Sequence, residues 1–302
     1  MERKNKKKKS KFWIIPVVIL LIILGIGGYF LKDSLTSKPT KTTQSSSAGD
    51  QPKKTSKKDG YVEAPAVKPA TGSWDLVSDV GTPEWVKVPS KQNKEKFTDL
   101  SNNGITIYRI NNGQVLKTAT NLTDQRMRMA DVVAKYPNTL IMNASAFNMS
   151  TGQVAGFQIN NGKLFQDWSQ STTLQYAFVI NKDGTCKIYD SKTPASTIIQ
   201  NGGAQSYDFG AALIRDGHVL PSDGSVNWEI HAFIANDKAN NLYVILSDTN
   251  AGYENIMNSV ASLNLENMLL LDSGGSSQLS LSGKTIVPSQ DDRAVPDYIV
   301  IK

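Results

Sequence analysis

Two aspartates close apolar runs: Asp248 ends NLYVILSD and Asp272 ends MLLLD. After Asp272 the chain crosses Ser273, Gly274, Gly275, Ser276 and Ser277 before the alternating run QLSL begins. Two carboxylates flanking a glycosidic bond can hydrolyse it, one serving the anomeric carbon or a water and the other proton transfer. Aspartate at a strand end also caps turns through its side chain, so these residues alone leave both readings open. The GGSS segment is double in the same way. Its glycines allow close backbone approach to a ligand, and serine hydroxyls with successive N–H groups can hold an anion. The same glycines can simply supply positive φ for a tight turn.

Other chemistries lack their residues. There are two histidines, His218 and His231. Cys–His zinc sites are therefore disfavoured, and a Ser–His–Asp triad would have to draw on one of these two. His218 follows the Asp216–Gly217 turn and is expected at the surface. His231 opens the apolar run HAFIA, where a hydrogen-bonded structural histidine is the default. No G-x-S-x-G elbow occurs, no G-K-[ST] follows GGSS, and QDDR at 290–293 is too short for a calcium loop. The cofactor is thus unknown: the sequence carries no metal motif, and a divalent cation such as calcium is left open. The single cysteine, Cys186, cannot form an internal disulfide. A sortase-like role would need a base or cation beside its thiolate, which the sequence does not identify, and the alternation in TCKIYD places it on a strand.

The elements that must position these residues are mostly strands. From Gly104 onward ITIYRI, QVLKT, TLIMNASAF, YAFVINKDG, HAFIAN, NLYVILSD, MLLLDS and DYIVIK carry strand signals, several separated by turn pairs such as Asn161–Gly162 and Asp216–Gly217. Two helices are expected, over Thr123 to Tyr136 with Thr123 as N-cap, and over Ile256 to Leu263. The second lies between NLYVILSD and MLLLDS, which predicts a crossover placing Asp248 and Asp272 side by side. Continuous runs such as YVIL and MLLL predict strands buried on both faces. Residues 73–103, with WDLV and EWVKV, read as an N-terminal extension at the domain's edge. The fold class is α+β: a mixed, mainly antiparallel twisted sheet with packed helices, preceded by one transmembrane helix and a disordered linker.

The net charge of +6 is located outside this domain. Residues 1–11 hold seven basic residues and one acid, residues 32–68 eight and four, and residues 69–302 eighteen and twenty-two. A mildly acidic domain removes the main support for a nucleic-acid partner. Residues 12–31, FWIIPVVILLIILGIGGYFL, are uncharged, and at ~1.5 Å per residue they span a ~30 Å hydrocarbon core. The lysines before them predict a single-pass cell-membrane protein with residues 1–11 cytoplasmic and the main domain extracytoplasmic. A cleaved signal peptide is the alternative, disfavoured by the length of the apolar run and the lack of a nearby A-x-A site. Residues 32–72, rich in Ser, Thr, Lys and Pro, read as a disordered extracytoplasmic linker reaching on average ~35 Å from the membrane.

Taken in order, the segments from Gly104 to Lys302 resemble the phosphodiester glycosidase family. Asn143 to Asn148 is similar to the family's N-G-x-F-F strand end, and Gly152 to Leu164 to its G-x-x-x-G-x-x-I-x-N-G hairpin. Phe209 to Gly217 resembles F-G-P-x-L-x-x-D-G, and Leu242 to Asp248 resembles L-x-x-V-x-D-G. Asp272 to Ser277 is similar to D-G-G-G-S-S, and Arg293 to Pro296 to R-x-V-P. The resemblance implies hydrolysis of a sugar-1-phosphodiester at the sugar–oxygen bond, with residues 104–302 as the glycosidase-like domain. It implies Asp272 and Asp248 as catalytic carboxylates, and Asn143, His231, Gly274, Gly275, Ser276, Ser277 and Arg293 as substrate contacts. Two positions depart from the pattern. His231 stands where the family commonly has the arginine of R-T-x-I-G, and an imidazole cannot reproduce a bidentate phosphate contact. Ser273 replaces the first of three glycines, which predicts a reshaped loop if that position needs positive φ. The anchored, lysine-tailed layout also resembles the EpsL-type exopolysaccharide proteins of lactic acid bacteria. That resemblance implies a cell-surface polysaccharide as substrate or partner, with polysaccharide assembly proteins as further partners. A non-catalytic polysaccharide-binding or assembly factor of the same fold is the alternative.

Overall fold

A computed structural model describes residues 75–88, 95–227, 229–249 and 251–302. The expected cytoplasmic tail, anchor and linker lie outside the described residues. Among the described residues no helix is long and apolar enough to cross a membrane.

Two large sheets carry the fold. The first has six strands: β1 (Val86–Val88), β4 (Gly113–Lys117), β18 (Tyr298–Ile301), β5 (Leu140–Asn143), β16 (Leu279–Leu281) and β17 (Lys284–Val287), in that spatial order. The second has seven: β12 (His218–Val219), β11 (Ala212–Arg215), β15 (Leu265–Leu270), β13 (Ala232–Asp237), β14 (Leu242–Leu246), β3 (Thr106–Ile110) and β2 (Phe97–Asp99). A three-stranded sheet joins β10 (Gly203–Asp208), β8 (Tyr176–Asn181) and β9 (Cys186–Asp190), and β6 (Gln158–Asn160) forms a hairpin with β7 (Lys163–Gln166). The β6–β7 hairpin turns on Asn161–Gly162 and the β11–β12 hairpin on Asp216–Gly217, and all four turn residues have positive φ, as primed two-residue turns require.

Side-chain parity explains the layering. On β13, β14 and β15, residues such as Ile234, Val244 and Leu269 point into a central core that they share with Met142 and Ile299 of the six-stranded sheet. Their neighbours Phe233, Ile245, Met268 and Leu270 point the other way, onto Ile256 and Val260. These last two lie on a helix, α3 (Tyr253–Val260), which continues as a short 3-10 turn over Ala261–Leu263. The outer face of the six-stranded sheet is covered by α1 (Met129–Lys135) through Val132. The order is therefore helix, sheet, sheet, helix. Strands such as β14 are buried on both faces, as their unbroken apolar runs predict. A further short helix, α2 (Ala195–Gln200), packs against β10 and the hairpin.

Three expectations are corrected. Every ladder among the described strands is antiparallel, so the sheets are not mixed. The helix predicted from Thr123 starts at Met129 instead. Met127 is held extended by two 3.0 Å backbone bonds to Val295, and Asn121 accepts the Thr123 N–H at 2.9 Å in a turn, so the helix cannot begin earlier. Lastly, the strands on either side of α3 are not neighbours: β13 lies between β14 and β15 and pairs with both. Cys186 sits on β9 with its thiol buried, and burial pushes its pKa up, which argues against a reactive thiolate.

Candidate active site

One end of the seven-stranded sheet gathers the predicted residues. β14 and β15 both run toward that end, and β13 starts there. Asp248 and Asp272 thus leave the sheet on the same side, but with one strand between them, roughly 10 Å apart by strand spacing. The strand between them begins next to His231. The Ser247 N–H donates to the His231 carbonyl at 2.8 Å, and the His231 N–H donates to the Ser247 hydroxyl at 2.8 Å. Continuing the β13–β15 register, in which Phe233 faces Leu270, sets His231 opposite Asp272 on the α3 side of the sheet. The His231 ring lies 6.2 Å from the Phe233 ring, consistent with that side. Asp248 has the opposite parity. It is exposed, and its Oδ2 lies 3.2 Å from where a Cβ on Gly104 would sit.

Asp272 is held by its backbone. Its N–H donates to Ala144 O at 2.9 Å, and its carbonyl accepts from Asn143 Nδ2 at 2.6 Å. Asn143 Oδ1 in turn accepts the Gln278 N–H at 3.0 Å. Asn143 is fully buried, so it clamps the strand end on one side of the loop and Gln278 on the other. The Asp272 side chain is 9% exposed, and Oδ2 has no hydrogen-bond partner. Burial pushes its pKa up to about 7; the Ser276 hydroxyl, Arg293 and the Ser273 N–H oppose this, while Glu229 adds to it. His231 is 1% exposed, and neither ring nitrogen makes a well-formed hydrogen bond. Burial lowers its pKa, with Glu229 and the nearby Asn227 carbonyl pulling the other way, and the ring is neutral near pH 7. Two buried polar side chains with unused hydrogen-bonding atoms, set across adjacent strands, mark a place for a ligand.

The loop after Asp272 explains its own residue types. Ser273 has φ −126° and ψ −173°, ordinary extended backbone, so serine fits where a glycine was expected to be needed. Its hydroxyl donates to Leu271 O at 2.8 Å. Positive φ falls instead on Gly274, at +64°, where a Cβ would also meet Glu229 Oε2 at 2.7 Å. A Cβ on Gly275 would meet Asp291 Oδ2 at 2.6 Å and Arg293 Nη2 at 2.7 Å. The glycines thus let three charged groups approach the backbone, Glu229 at Gly274 and the Asp291–Arg293 pair at Gly275. The Gly274 N–H and the Ser277 hydroxyl both donate to Ile230 O, at 2.8 and 3.0 Å. Ser277 is therefore committed to holding the loop, whereas the Ser276 hydroxyl lies between Asp272 and Arg293, 3.5 Å from Arg293 Nη1. Arg293 donates through Nε and Nη2 to Asp291 Oδ2 at 3.0 and 2.7 Å, so its charge is shared before any ligand arrives.

Sequence reasoning did not single out Glu229. It sits in an irregular stretch, PSDGSVNWEI, with no periodicity to mark it, and its only signal is its place two residues before His231. Its carboxylate also lines a cavity of about 490 Å³ beside the Asp272 loop. Among the described residues, no group of three or more His, Cys, Asp or Glu side chains is placed to hold a metal ion.

Comparison with known proteins fits this geometry. The SPbeta prophage-derived protein YomE of Bacillus subtilis (strain 168) is 28% identical over 194 residues, which is 59% of this chain and 30% of that protein. The chain thus spans less than a third of that relative. Among solved structures, the catalytic domain of zebrafish N-acetylglucosamine-1-phosphodiester alpha-N-acetylglucosaminidase, auto-inhibited by its pro-peptide, superposes with a TM-score of 0.55 at 18% identity. That match covers 73% of this chain and 88% of that domain, and it shows a shared fold. The sequence pattern of the phosphodiester glycosidase family matches residues 137–302, more than half of the chain and all of the segments that build the site. The chain belongs to the phosphodiester glycosidase family.

Proposed function

We propose that the protein hydrolyses sugar-1-phosphodiesters of a cell-surface polysaccharide, outside the membrane to which residues 12–31 anchor it, as a step in exopolysaccharide synthesis or trimming. The observation that carries this reading is the buried Asp272 carboxyl with an unpartnered oxygen, beside Arg293 and opposite His231. In the reaction the bond between the anomeric carbon and the phosphate oxygen breaks, and its electron pair leaves with the phosphate. Positive charge develops at the sugar, and a water supplies the new C–O bond. Phosphate is a good leaving group, so acid assistance matters less than charge placement. Ionised Asp272 faces the developing cation and takes the water's proton. Arg293, already close to the Ser276 hydroxyl, balances the departing phosphate, and neutral His231 donates one N–H to a phosphate or sugar oxygen. Glu229, which approaches the same loop, is the second acid of the pair in this arrangement. Asp248, on the other parity of the sheet end, serves at most at the rim.

The test is turnover by the purified full-length protein in detergent across a panel of sugar-1-phosphodiesters, with and without calcium. Release of sugar that is lost in Asp272→Asn supports the reading; no release from any member sinks it. A second reading, a non-catalytic polysaccharide-binding or assembly factor, is favoured by one observation: the family's arginine position holds His231, while Arg293 is engaged with Asp291. Glycan binding that survives Asp272→Ala, without turnover by the unaltered protein, would select it.

A further inference from the structure

The cavity beside the Asp272 loop is formed by the segment 172–176, the segment 209–212, and Pro221, Asp223, Ser225 and Glu229. Leu270 and Ala146 close its floor. Both connect it directly to the site: Leu270 is two residues before Asp272, and Ala146 is two residues after Ala144, which accepts the Asp272 N–H. Glu229 belongs to both places, since it lines the cavity and its Oε2 also reaches the backbone of Gly274. At about 490 Å³ the cavity falls within the size range of small-molecule sites.

Its chemistry is one-sided. The floor is apolar, with Phe209, Leu270 and alanines, which suits the flat C–H face of a pyranose. The rim offers hydroxyls from the exposed Thr172 and Thr173, whereas the buried Gln175 amide is engaged with Ser171 O and the Ser191 hydroxyl. Two carboxylates, Asp223 and Glu229, face it, and among the described residues no lysine, arginine or histidine lines it. Arg215 lies against the Tyr176 ring at 5.6 Å and is paired with Asp190 at 2.9 Å. Arg293 lies on the other side of the loop, against Gly275. A phosphodiester entering this site therefore meets a negative field on the cavity side and a guanidinium on the other.

We infer that this cavity is the sugar subsite, that it accepts neutral sugars and rejects anionic ones, and that Asp223 and Glu229 set this selectivity by charge. The phosphate then points across Gly274–Ser276 to Arg293, leaving the anomeric carbon between Glu229 and Asp272. This inference rests on the proposed hydrolysis for its substrate, but sugar binding can be measured without turnover.

The experiment uses the full-length protein in detergent. Ligand-observed saturation-transfer NMR compares methyl glucoside with methyl glucuronide, and hydrolysis assays compare glucose-1-phosphate methyl diester with its glucuronic acid counterpart. The expected result is a preference of about tenfold or more for the neutral sugar. In the Asp223→Asn, Glu229→Gln double variant the binding preference falls to about threefold or less. Thr173→Trp, a change at an exposed rim position, weakens binding of the neutral sugar. Equal binding of both sugars by the unaltered protein, or selectivity unmoved in the double variant, overturns the inference. Selective sugar binding without turnover of any diester leaves the sugar subsite standing and removes the hydrolysis. Turnover with neutral-sugar binding unmoved by Thr173→Trp does the reverse.

Discussion

Replacing Asp272 by asparagine should stabilise the protein, and only above a definite pH. The carboxyl has its pKa raised from 3.8 to about 7, chiefly by burial. Between those values the folded state keeps a proton that the unfolded state has released, so stability falls as pH rises through this window and levels off above it. The displacement is about 3 pKa units, which corresponds to at most ~4 kcal/mol at pH 8. Asparagine carries no charge and lacks this slope. It also forfeits attraction to Arg293 and contact with Ser276, so the net gain at pH 8 is set at ~1–3 kcal/mol, shrinking to near zero at pH 4. Urea unfolding of both proteins at pH 4, 5, 6, 7 and 8 measures the difference. Asp208, buried and with its pKa raised to about 8, adds a similar slope to both proteins and cancels in the comparison. A difference that stays constant across the series would refute the claim that Asp272 holds a proton in the free site.

The remaining predictions are shorter. If ionised Asp272 is the working form, kcat/KM rises with pH along an acid limb centred near 7, and Arg293→Ala moves that limb upward because the cation that favours ionisation is gone; a limb left in place by that variant would contradict this role. Asn143→Ala leaves the Asp272 carbonyl and the Gln278 N–H without partners inside the protein, and denaturant titration should show a loss of ~2–4 kcal/mol. Ser273→Gly should lower stability by ~0.5–1 kcal/mol with little change in turnover, because Ser273 already occupies an extended conformation; a large rise in activity would show that the serine impairs the loop. Lys117→Met strands the buried Asp297 carboxylate that Lys117 pairs with, costing ~3–5 kcal/mol, and Asp297→Asn on top of it should recover part of that loss.

The elements were legible where chemistry acts locally. The apolar runs of β14 and β15 and the Asn161–Gly162 and Asp216–Gly217 turns follow from side-chain period and φ preference. The helix expected from Thr123 begins later because the paired bonds between Met127 and Val295 join residues far apart in sequence, and no local signal announces them. The same limit applies to the site. Asp272 and its loop stood out by residue type, but the strand that separates it from Asp248 comes before both and is placed between them only by tertiary pairing. Glu229 was invisible for the complementary reason: it lies on irregular chain whose path is fixed by contact with Gly274. Ser273 was read through the φ preference of a pattern, whereas the backbone angle that matters falls one residue later.

The clamp on Asp272 has a consequence for how such a site can change over time. The acid is fixed by backbone bonds to Ala144 and by Asn143, both from the centre of the six-stranded sheet, while the cavity beside it is walled largely by the 172–176 and 221–229 segments. The part that positions the reacting carboxyl and the part that meets the sugar are thus built from different stretches of chain. Insertions or exchanges in the wall segments can reshape what is recognised without displacing the acid, whereas a change at Asn143 or Ala144 disturbs both sheets at once. Variation among descendants of this chain should therefore accumulate in the walls and leave the clamp alone.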